Sequence, residues 1–230
     1  MPIPRRTLLA VGGLVVAGGA LGAWRALRPS PGASLLASAA AQGAAPPPTS
    51  DTKMAERGIG RQDAPVRVTE WFSLTCPHCA AFHKETMPRV RTELVDTGKL
   101  RMIFRDFPLD QVALTAAMIA RSLPVDRYEP FVAALFASQD RWAFARGVNT
   151  TEELAKMAAL AGLSGEAFTA AINDQALRTA ILQGQDEADK IYHVDSTPSF
   201  IFNGPGAKDR KESGGRPFDE FAKLVAAAAG

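Results

Sequence analysis

Residues 70–82 read Glu-Trp-Phe-Ser-Leu-Thr-Cys-Pro-His-Cys-Ala-Ala-Phe and contain both cysteines of the 230-residue chain. The segment that leads into them, residues 65–72, is rich in β-branched and aromatic side chains, which predicts a buried strand. Helical periodicity follows from about Cys76 to Asp96, so we expect Cys76 at the first turn of a helix. Unpartnered backbone N–H groups and the helix dipole favour a thiolate at that position.

The spacing of the two cysteines predicts a nucleophile with a resolving partner. Pro77 suits the first helical turn, where its missing N–H would have had no acceptor. His78 is expected to stabilise a Cys76 thiolate if its side chain is protonated or donates a hydrogen bond. Cys79 lies further along the helix, where its thiol is placed to attack a mixed disulfide on Cys76.

Two other uses of the cysteines stay open on the residues alone. A static disulfide across two intervening residues would constrain the unfolded chain very little. A metal site would recruit His78 and His83 beside the cysteines, but structural zinc needs a second, distant ligand pair, and the chain has no further Cys. We therefore predict no metal site, and we expect His83 and His193 to be partly exposed helical residues.

The helix after the cysteines is expected to kink at Pro88 and to end at Gly98. A second strand is predicted at residues 100–107, where apolar side chains alternate with Arg101 and Arg105. Such an alternation predicts a strand with one buried face and one polar face. Strand, helix and strand in this order predict a βαβ unit.

Residues 109–193 have a helical pattern throughout and fit about four helices. Thr150, with Glu153 three residues later, has the pattern of a capping box at the start of one of them. Helix breaks are expected at Pro124, Gly147, Gly162 and Asn173. Three further elements follow this block: an apolar strand at 199–204, an edge strand at 208–213 and an amphipathic helix that starts at Pro217.

The run at residues 70–82 resembles the active-site region of the DsbA-type thiol:disulfide oxidoreductases of the thioredoxin superfamily, whose motif takes the form Cys-Pro-His-Cys. The resemblance extends over residues 58–230. It implies an α/β, thioredoxin-like fold built from residues 58–108 and 190–230. It also implies an inserted all-helical subdomain at residues 109–189, between the two parts of that fold.

The same resemblance implies protein disulfide oxidoreductase activity, with the disulfide between Cys76 and Cys79 as the redox-active group and no other cofactor. The residues that it assigns to catalysis are Cys76, Pro77, His78, Cys79 and Glu70. Glu70 shares a face of the predicted strand with Phe72, so the alternation places it inside. A buried carboxylate there would shuttle the proton of Cys79. On the residues alone, a solvated Glu70 near a strand end is the alternative.

The dipeptide Thr197-Pro198 stands directly before the apolar strand at 199–204. Proline cannot donate to a strand ladder, which suits the start of a strand. In the superfamily this proline is cis and packs beside the dithiol, so we expect a cis bond here and substrate binding through the Thr197 backbone. Thr197 resembles the isomerase-type branch more than the Val of some DsbA oxidases, which leaves the redox poise open.

The N-terminal part of the chain has the pattern of a targeting segment followed by a linker. In residues 1–28, Arg5 and Arg6 precede an uncharged, apolar stretch, which resembles a twin-arginine export signal. An uncleaved N-terminal membrane anchor is the alternative. Residues 29–57 are rich in Pro, Ala, Ser and Gly and predict a linker.

Composition and charge exclude several classes of protein. Apolar residues make up 47% of the chain, enough for a buried core. The net charge is +2, and residues 1–50 contribute four Arg and no acid, so the remainder carries 22 basic against 24 acidic side chains. A nucleic-acid binder would have a basic excess in its folded part. Two cysteines are too few for a disulfide-dense scaffold.

These observations predict a periplasmic thiol:disulfide oxidoreductase that introduces disulfides into exported proteins. The partners implied are unfolded or folding exported proteins and a DsbB-type, quinone-linked membrane protein that reoxidises the dithiol. A monomer is expected, because the linker cannot supply the dimerisation domain that isomerases of this superfamily usually carry. The alternatives are a disulfide isomerase or reductase with the same site, or a thiol-based metal chaperone.

Overall fold

The computed structural model describes residues 50–230, in which one mixed sheet has the strand order β1-β3-β2-β4-β5. Its strands are β1 (Arg57–Ile59), β2 (Val66–Phe72), β3 (Leu100–Asp106), β4 (Ser199–Gly204) and β5 (Ala207–Ser213). Strands β2 and β3 are parallel, and the other pairs are antiparallel. The predicted strands and the order of the two terminal units are confirmed. The predictions for residues 1–28, and for residues 29–49 of the linker, lie outside the described residues.

Helices cover both faces of the sheet and form the block between β3 and β4. They are α1 (Ser50–Lys53), α2 (Pro77–Ala81), α3 (Met87–Val90), α4 (Gln111–Ser122), α5 (Val125–Ala137), α6 (Gln139–Trp142), α7 (Thr150–Leu160), α8 (Gly165–Ile172), α9 (Gln175–Tyr192) and α10 (Phe218–Ala229). This is the thioredoxin-like α/β fold with an all-helical insertion that the sequence predicted. Within residues 50–230, no helix is both long enough and apolar enough to cross a membrane.

The helix after the cysteines runs on to Val95 by means of two π-helical segments, Phe82–Thr86 and Arg91–Val95, on either side of α3. The N–H of Met87 donates to the carbonyl of Phe82, five residues back. Pro88 follows in the first turn of α3, where a proline needs no N–H donor. Where the sequence analysis expected a kink at Pro88, the helix has a wider, π-helical turn directly before the proline.

Strand β3 is more buried than its predicted alternation indicated. Six of its seven residues are buried, so the expectation that one face of the strand is polar and exposed is wrong. The second face of β3 is covered by α9 and by residues 56–60, which include β1, a strand that the sequence did not predict and that pairs with the outer edge of β3. Arg101 is 5% exposed, and its guanidinium is paired with Glu56, with Nη2 2.7 Å from Oε1.

The helical block contains six helices where about four were expected. The expected breaks fall between helices, but a further break at Ser138 separates the short α6 from α5. The capping-box prediction is wrong: Asn149 is the N-cap of α7, and its Oδ1 accepts from the N–H groups of Thr151 and Glu152. Glu153 instead pairs with Lys156 at 2.6 Å.

One continuous apolar core joins the sheet to the insertion. Phe72 of β2 contacts Phe136 of α5 with ring centroids 5.6 Å apart, and both rings are buried. Trp142 is 1% exposed and belongs to the same core, as predicted for the insertion. A second, smaller cluster around Trp71 and Ile201 lies on the opposite face of the sheet, against α9.

Candidate active site

Cys76 stands at the junction of β2 and α2, at the helix N-terminus where the sequence predicted it. It is the N-cap of α2, with extended backbone angles, and Pro77 occupies the first turn. The Cys76 N–H donates to the carbonyl of Ser73 at 3.0 Å, and its own carbonyl accepts from the Ala80 N–H at 3.1 Å. These bonds hold the sulfur at the open end of the helix.

The two cysteines are free thiols in very different surroundings. Cys76 is 4% exposed and Cys79 is fully buried. A hydrogen bond from the Cys79 thiol is the main cause that lowers the pKa of Cys76 to about 5, helped by Thr197 and by the N–H groups of Cys79 and His78 against the opposing effect of burial. Burial and the neighbouring Cys76 sulfur raise the pKa of Cys79 well above its ordinary value. One sulfur is therefore a ready nucleophile, and the other holds its proton.

His78 acts on Cys76 through its main chain. Its backbone N–H is among the groups that lower the pKa of Cys76, whereas the sequence had pointed to its imidazole. The His78 side chain is exposed and lines an open groove of about 410 Å³ beside the dithiol, together with Phe82, Arg216 and Phe218. The imidazole therefore forms part of the wall of this groove.

Glu70 is buried on β2, as the alternation predicted, and it has a partner that the sequence analysis misjudged. His83 Nε2 lies 3.1 Å and 3.0 Å from the two carboxylate oxygens of Glu70. The His83 side chain is only 3% exposed, so the expectation of a partly exposed histidine is wrong. Its ring is surrounded by four aromatic rings, with centroids 4.4–6.1 Å away: Phe72, Phe82, Phe104 and Phe136.

The burial of His83 has a physical cause in the fold. The helix that carries it packs between the sheet and α5, and the π-helical turn at Phe82–Thr86 places His83 over the carboxylate of Glu70. The negative charge of Glu70 is one of the causes that raise the pKa of Cys79. The Glu70 carboxylate therefore acts on the buried Cys79 thiol, and His83 holds that carboxylate. His193, in contrast, ends α9 in a left-handed conformation and is exposed.

The loop at Thr197-Pro198 reaches the dithiol from 121 residues away in the sequence. The Thr197–Pro198 peptide bond is cis, which confirms the prediction. The Cys76 thiol donates to the Thr197 carbonyl at 3.3 Å. The Pro198 carbonyl accepts from the Gly214 N–H at 2.8 Å, which joins this loop to the end of β5.

Two contacts from the helical insertion hold the turn before Cys76, and the sequence analysis missed both. The buried Gln139 side chain donates from Nε2 to the carbonyls of Leu74 at 2.8 Å and Cys76 at 3.1 Å. The Thr75 hydroxyl donates to Asp110 Oδ2 at 2.6 Å. Asp110 is the N-cap of α4, and its Oδ1 accepts from the Ala113 N–H. An Asp directly before a helix is a signal that the sequence does carry. A lone glutamine in a helical stretch gives no such signal.

The residues weighed as metal ligands do not converge. His83 faces Glu70, and the His78 side chain is exposed beside the groove. Within residues 50–230 there is no group of three or more His, Cys, Asp or Glu side chains arranged to hold a metal ion. The arrangement around Cys76 instead suits thiolate attack on a disulfide, followed by resolution through Cys79.

Comparison with known proteins places this geometry in a family. A family model described as Thioredoxin matches residues 51–221. A Rickettsia typhi protein named as a protein-disulfide oxidoreductase is 29% identical over 147 residues, which cover 64% of this chain and 54% of the relative. The chain thus spans about half the length of the curated relatives it matches. A disulfide bond formation protein D of Bacillus anthracis is 25% identical over 160 residues, 65% of this chain and 70% of that protein.

Solved structures agree with the family match. The crystal structure of Wolbachia pipientis α-DsbA1 is 30% identical, superposes with a TM-score of 0.69, and is matched over 75% of this chain and 90% of its own. BdbD from Bacillus subtilis, at 18% identity and a TM-score of 0.65, is matched over 75% of this chain and 92% of its own, and it supports the fold alone. Because the family match spans most of the chain and includes the Cys76–Cys79 motif, this protein belongs to the thioredoxin superfamily and, within it, to the DsbA-type proteins.

Proposed function

We propose that this protein is a periplasmic thiol:disulfide oxidoreductase that introduces disulfides into exported proteins through Cys76 and Cys79. The observation that carries the proposal is the opposite shift of the two thiols: the pKa of Cys76 is lowered to about 5, and that of Cys79 is raised. Groups that stabilise the Cys76 thiolate in the folded protein stabilise the reduced form relative to the disulfide. A stabilised reduced form makes the disulfide a strong oxidant.

The reaction starts from the Cys76–Cys79 disulfide. A substrate thiolate attacks the Cys76 sulfur, the bond between the two cysteines breaks, and Cys79 leaves as a thiolate that takes up a proton. A second thiolate of the substrate then attacks the substrate sulfur of the mixed disulfide and releases the Cys76 thiolate. The substrate has lost two electrons and gained a disulfide, and the dithiol of the protein holds the two electrons.

Glu70 is the group that we assign to the proton of Cys79. Its carboxylate is buried, is held at both oxygens by His83, and acts electrostatically on Cys79. The carboxylate accepts the proton of the Cys79 thiol when the disulfide is restored, and the carboxylic acid formed in that step returns the proton to the leaving Cys79 sulfur when the disulfide opens again. His83 keeps the carboxylate in one orientation.

Substrate binding is assigned to the loop at Thr197-Pro198 and to the groove beside His78. The Thr197 carbonyl already contacts the Cys76 sulfur, so a polypeptide bound along this loop would place its thiolate near the same atom. The groove continues from His78 past Phe82 to Phe218 and offers apolar surface to an unfolded chain. Folding exported proteins are substrates of this kind.

The remaining parts of the proposal follow from the chemistry. The redox-active group is the disulfide itself, with no added cofactor. The reduced dithiol must pass its two electrons to an oxidant, and a quinone-linked membrane protein of the DsbB type supplies that step. The export pattern in residues 1–28 supports a periplasmic site of action. The proposal takes the protein to act as a monomer, because the linker cannot supply the dimerisation domain that isomerases of this superfamily usually carry.

The test is the redox equilibrium with glutathione, read by mass spectrometry of alkylated protein, together with the oxidation of a reduced peptide that contains two cysteines. We expect a strongly oxidising equilibrium and stoichiometric oxidation of the peptide by the disulfide form. Cys76→Ser and Cys79→Ser should each abolish the oxidation of the peptide, because neither variant can form the Cys76–Cys79 disulfide from which the reaction starts. A reducing equilibrium, with activity only toward scrambled disulfides in the dithiol form, would overturn the oxidase proposal in favour of an isomerase.

A further inference from the structure

The first residue of α6, Gln139, lies against the turn that carries Cys76. Gln139 is 5% exposed, and its Nε2 donates to the carbonyl of Leu74 at 2.8 Å and to that of Cys76 at 3.1 Å. A side-chain amide has two N–H donors, and both are used here. One side chain of the insertion therefore bridges the two residues that flank Thr75 in the active-site turn.

The residue between the two carbonyls is also held by the insertion. The Thr75 hydroxyl donates to Asp110 Oδ2 at 2.6 Å, and the Thr75 N–H donates to Ser73 Oγ at 3.4 Å. Asp110 is the N-cap of α4, so the start of that helix fixes its position. The insertion therefore holds three consecutive residues of the turn, 74–76, by hydrogen bonds from its own side chains.

A break in the insertion brings Gln139 to this turn. Ser138 separates α6 from α5 and leaves helical geometry, with φ −119° and ψ 23°. Across the break, Trp142 Nε1 of α6 donates to the Leu135 carbonyl of α5 at 2.8 Å. This bond fixes the short helix α6 against α5, so the Gln139 amide is supported from its own side as well.

The backbone of Cys76 decides where its sulfur lies. Cys76 is the N-cap of α2, with ψ 120°. In this conformation the sulfur lies at the open end of the helix, where the Cys79 thiol and the N–H groups of Cys79 and His78 lower its pKa. A rotation of the backbone at residues 74–76 would move the sulfur away from these donors. Because hydrogen bonds weaken with longer distances and poorer angles, the pKa would then rise toward its ordinary value.

We infer that Gln139 is a positioning residue for the thiolate of Cys76. By holding the carbonyls of Leu74 and Cys76, it keeps the sulfur at the N-terminus of α2 and so makes the disulfide a stronger oxidant, a role that rests on the proposed function. The N–H groups at the helix start stabilise the charge of a thiolate, whereas a disulfide sulfur is uncharged. The loss of Gln139 would therefore weaken mainly the reduced form, and the reactivity of the dithiol depends on a residue of the insertion.

Gln139 is uncharged, so its removal leaves every charge around the dithiol in place. The titratable side chains around the turn are those of Cys79 and His78 on α2, Glu70 on β2 and Asp110 at the start of α4. None of these four side chains forms a hydrogen bond with Gln139, whose amide donates only to the two backbone carbonyls. A changed titration of the nucleophilic sulfur would therefore come from its position.

The experiment compares the full-length protein with its Gln139→Met variant in the reduced state. Methionine has a similar length to glutamine but no N–H donor, so both hydrogen bonds are lost while the packing is kept. Iodoacetamide labelling is followed against pH, with the labelled cysteine identified by mass spectrometry. The labelling midpoint of Cys76 should rise by about one pH unit, and the equilibrium with glutathione should shift about tenfold toward the protein disulfide.

Three further variants separate positioning from a general loss of stability. Gln139→Ala should shift the midpoint in the same direction, and it answers the question if Gln139→Met does not fold. Leu177→Ala opens a cavity at a fully buried position of α9, a helix that makes none of the hydrogen bonds to the turn, and should lower stability without moving the midpoint. Gln183→Ala, at an exposed position of α9, should leave both unchanged. Circular dichroism verifies that each variant is folded.

Two outcomes would overturn the positioning role. Wild-type midpoints and glutathione equilibria in both Gln139 variants would show that this side chain contributes stability alone. An equal rise of the midpoint in Leu177→Ala would show that any loosening of the fold changes the thiol. The labelling midpoint does not depend on whether the protein is an oxidase, so a reducing equilibrium of the unchanged protein would refute the proposed function and leave the effect of Gln139 on the Cys76 thiolate standing.

Discussion

At the scale of single residues, the reactivity of the protein depends on the contrast between Cys76 and Cys79. We predict that alkylation of the reduced protein at mildly acidic pH labels Cys76 first. The rate follows the thiolate fraction, so its midpoint should lie near the lowered pKa of about 5 and far below the ordinary value of 9.0. The measurement is the pH dependence of iodoacetamide labelling, with the labelled cysteine identified by mass spectrometry.

The same shift links stability to pH. A pKa that folding lowers contributes stability that is complete above the unfolded value of 9.0 and is lost as pH falls through about 5. The stability advantage of the reduced protein over a Cys76→Ala variant should therefore shrink as the solution is acidified through that range. Preferential labelling of Cys79, or a labelling midpoint near 9.0, would contradict the assignment of the two thiols.

The Glu70–His83 pair gives a second prediction at this scale. His83→Phe leaves the Glu70 carboxylate buried without its partner, and we expect the free energy of unfolding to fall by about 3–5 kcal/mol. The double variant Glu70→Leu/His83→Phe removes both polar groups and should recover most of that loss. Urea denaturation of the two single variants and the double variant measures the coupling. A loss in the double variant equal to the sum of the single losses would show that the two side chains do not interact.

At the scale of secondary structure elements, α6 holds the active-site turn through Gln139. Gln139→Ala leaves the buried carbonyls of Leu74 and Cys76 without this donor. We expect the free energy of unfolding to fall by about 1–3 kcal/mol. The matched control is Gln183→Ala on the exposed side of α9, which should change stability by less than about 0.5 kcal/mol. If the two substitutions lowered the free energy of unfolding equally in urea denaturation, Gln139 would not hold the active-site turn.

The elements that could be predicted from the sequence are those whose signals are local. The strand, turn and helix around Cys76 are encoded within one run of residues, and β4 and β5 are marked by an apolar segment and a turn. Strand β1 has only three residues and no usable periodicity, so nothing marked it. The pairing of β1 with β3 brings Glu56 next to Arg101, and this contact is why Arg101 is buried. The two residues are 45 positions apart in the sequence, so no local pattern could predict it.

The same reasoning applies to the candidate site. Glu70 was placed inside by simple alternation, and the cis bond before Pro198 followed from the family resemblance. The partner of Glu70 was missed because the π-helical segments shift the register of the helix, so that spacing alone does not place His83 on the buried face. Gln139 was missed because its two acceptors lie more than 60 residues away in the sequence.

At the scale of the whole molecule, the insertion and the sheet depend on one another. Their apolar side chains form a single buried cluster that includes Met102 of β3 and Leu135 of α5. Arg121 of α4 is fully buried and pairs with Asp106 of β3 at 2.6 Å. A helical subdomain that shares its core and its buried ion pair with the sheet does not have a complete core of its own.

We therefore predict that residues 50–230 unfold in a single cooperative transition. Two probes report on the two parts: fluorescence of Trp142 in a Trp24→Phe/Trp71→Phe variant follows the insertion, and reaction of the fully buried Cys79 thiol follows the thioredoxin-like part. Their midpoints in urea should coincide.

Met102→Ala in the sheet and Leu135→Ala in the insertion should each lower the free energy of unfolding by about 2–5 kcal/mol and shift both probes together. If Leu135→Ala shifted the Trp142 signal while the Cys79 signal stayed in place, the insertion would be an independent folding unit. The contacts of Gln139 and Asp110 with the active-site turn would then not couple the stability of the insertion to that of the dithiol.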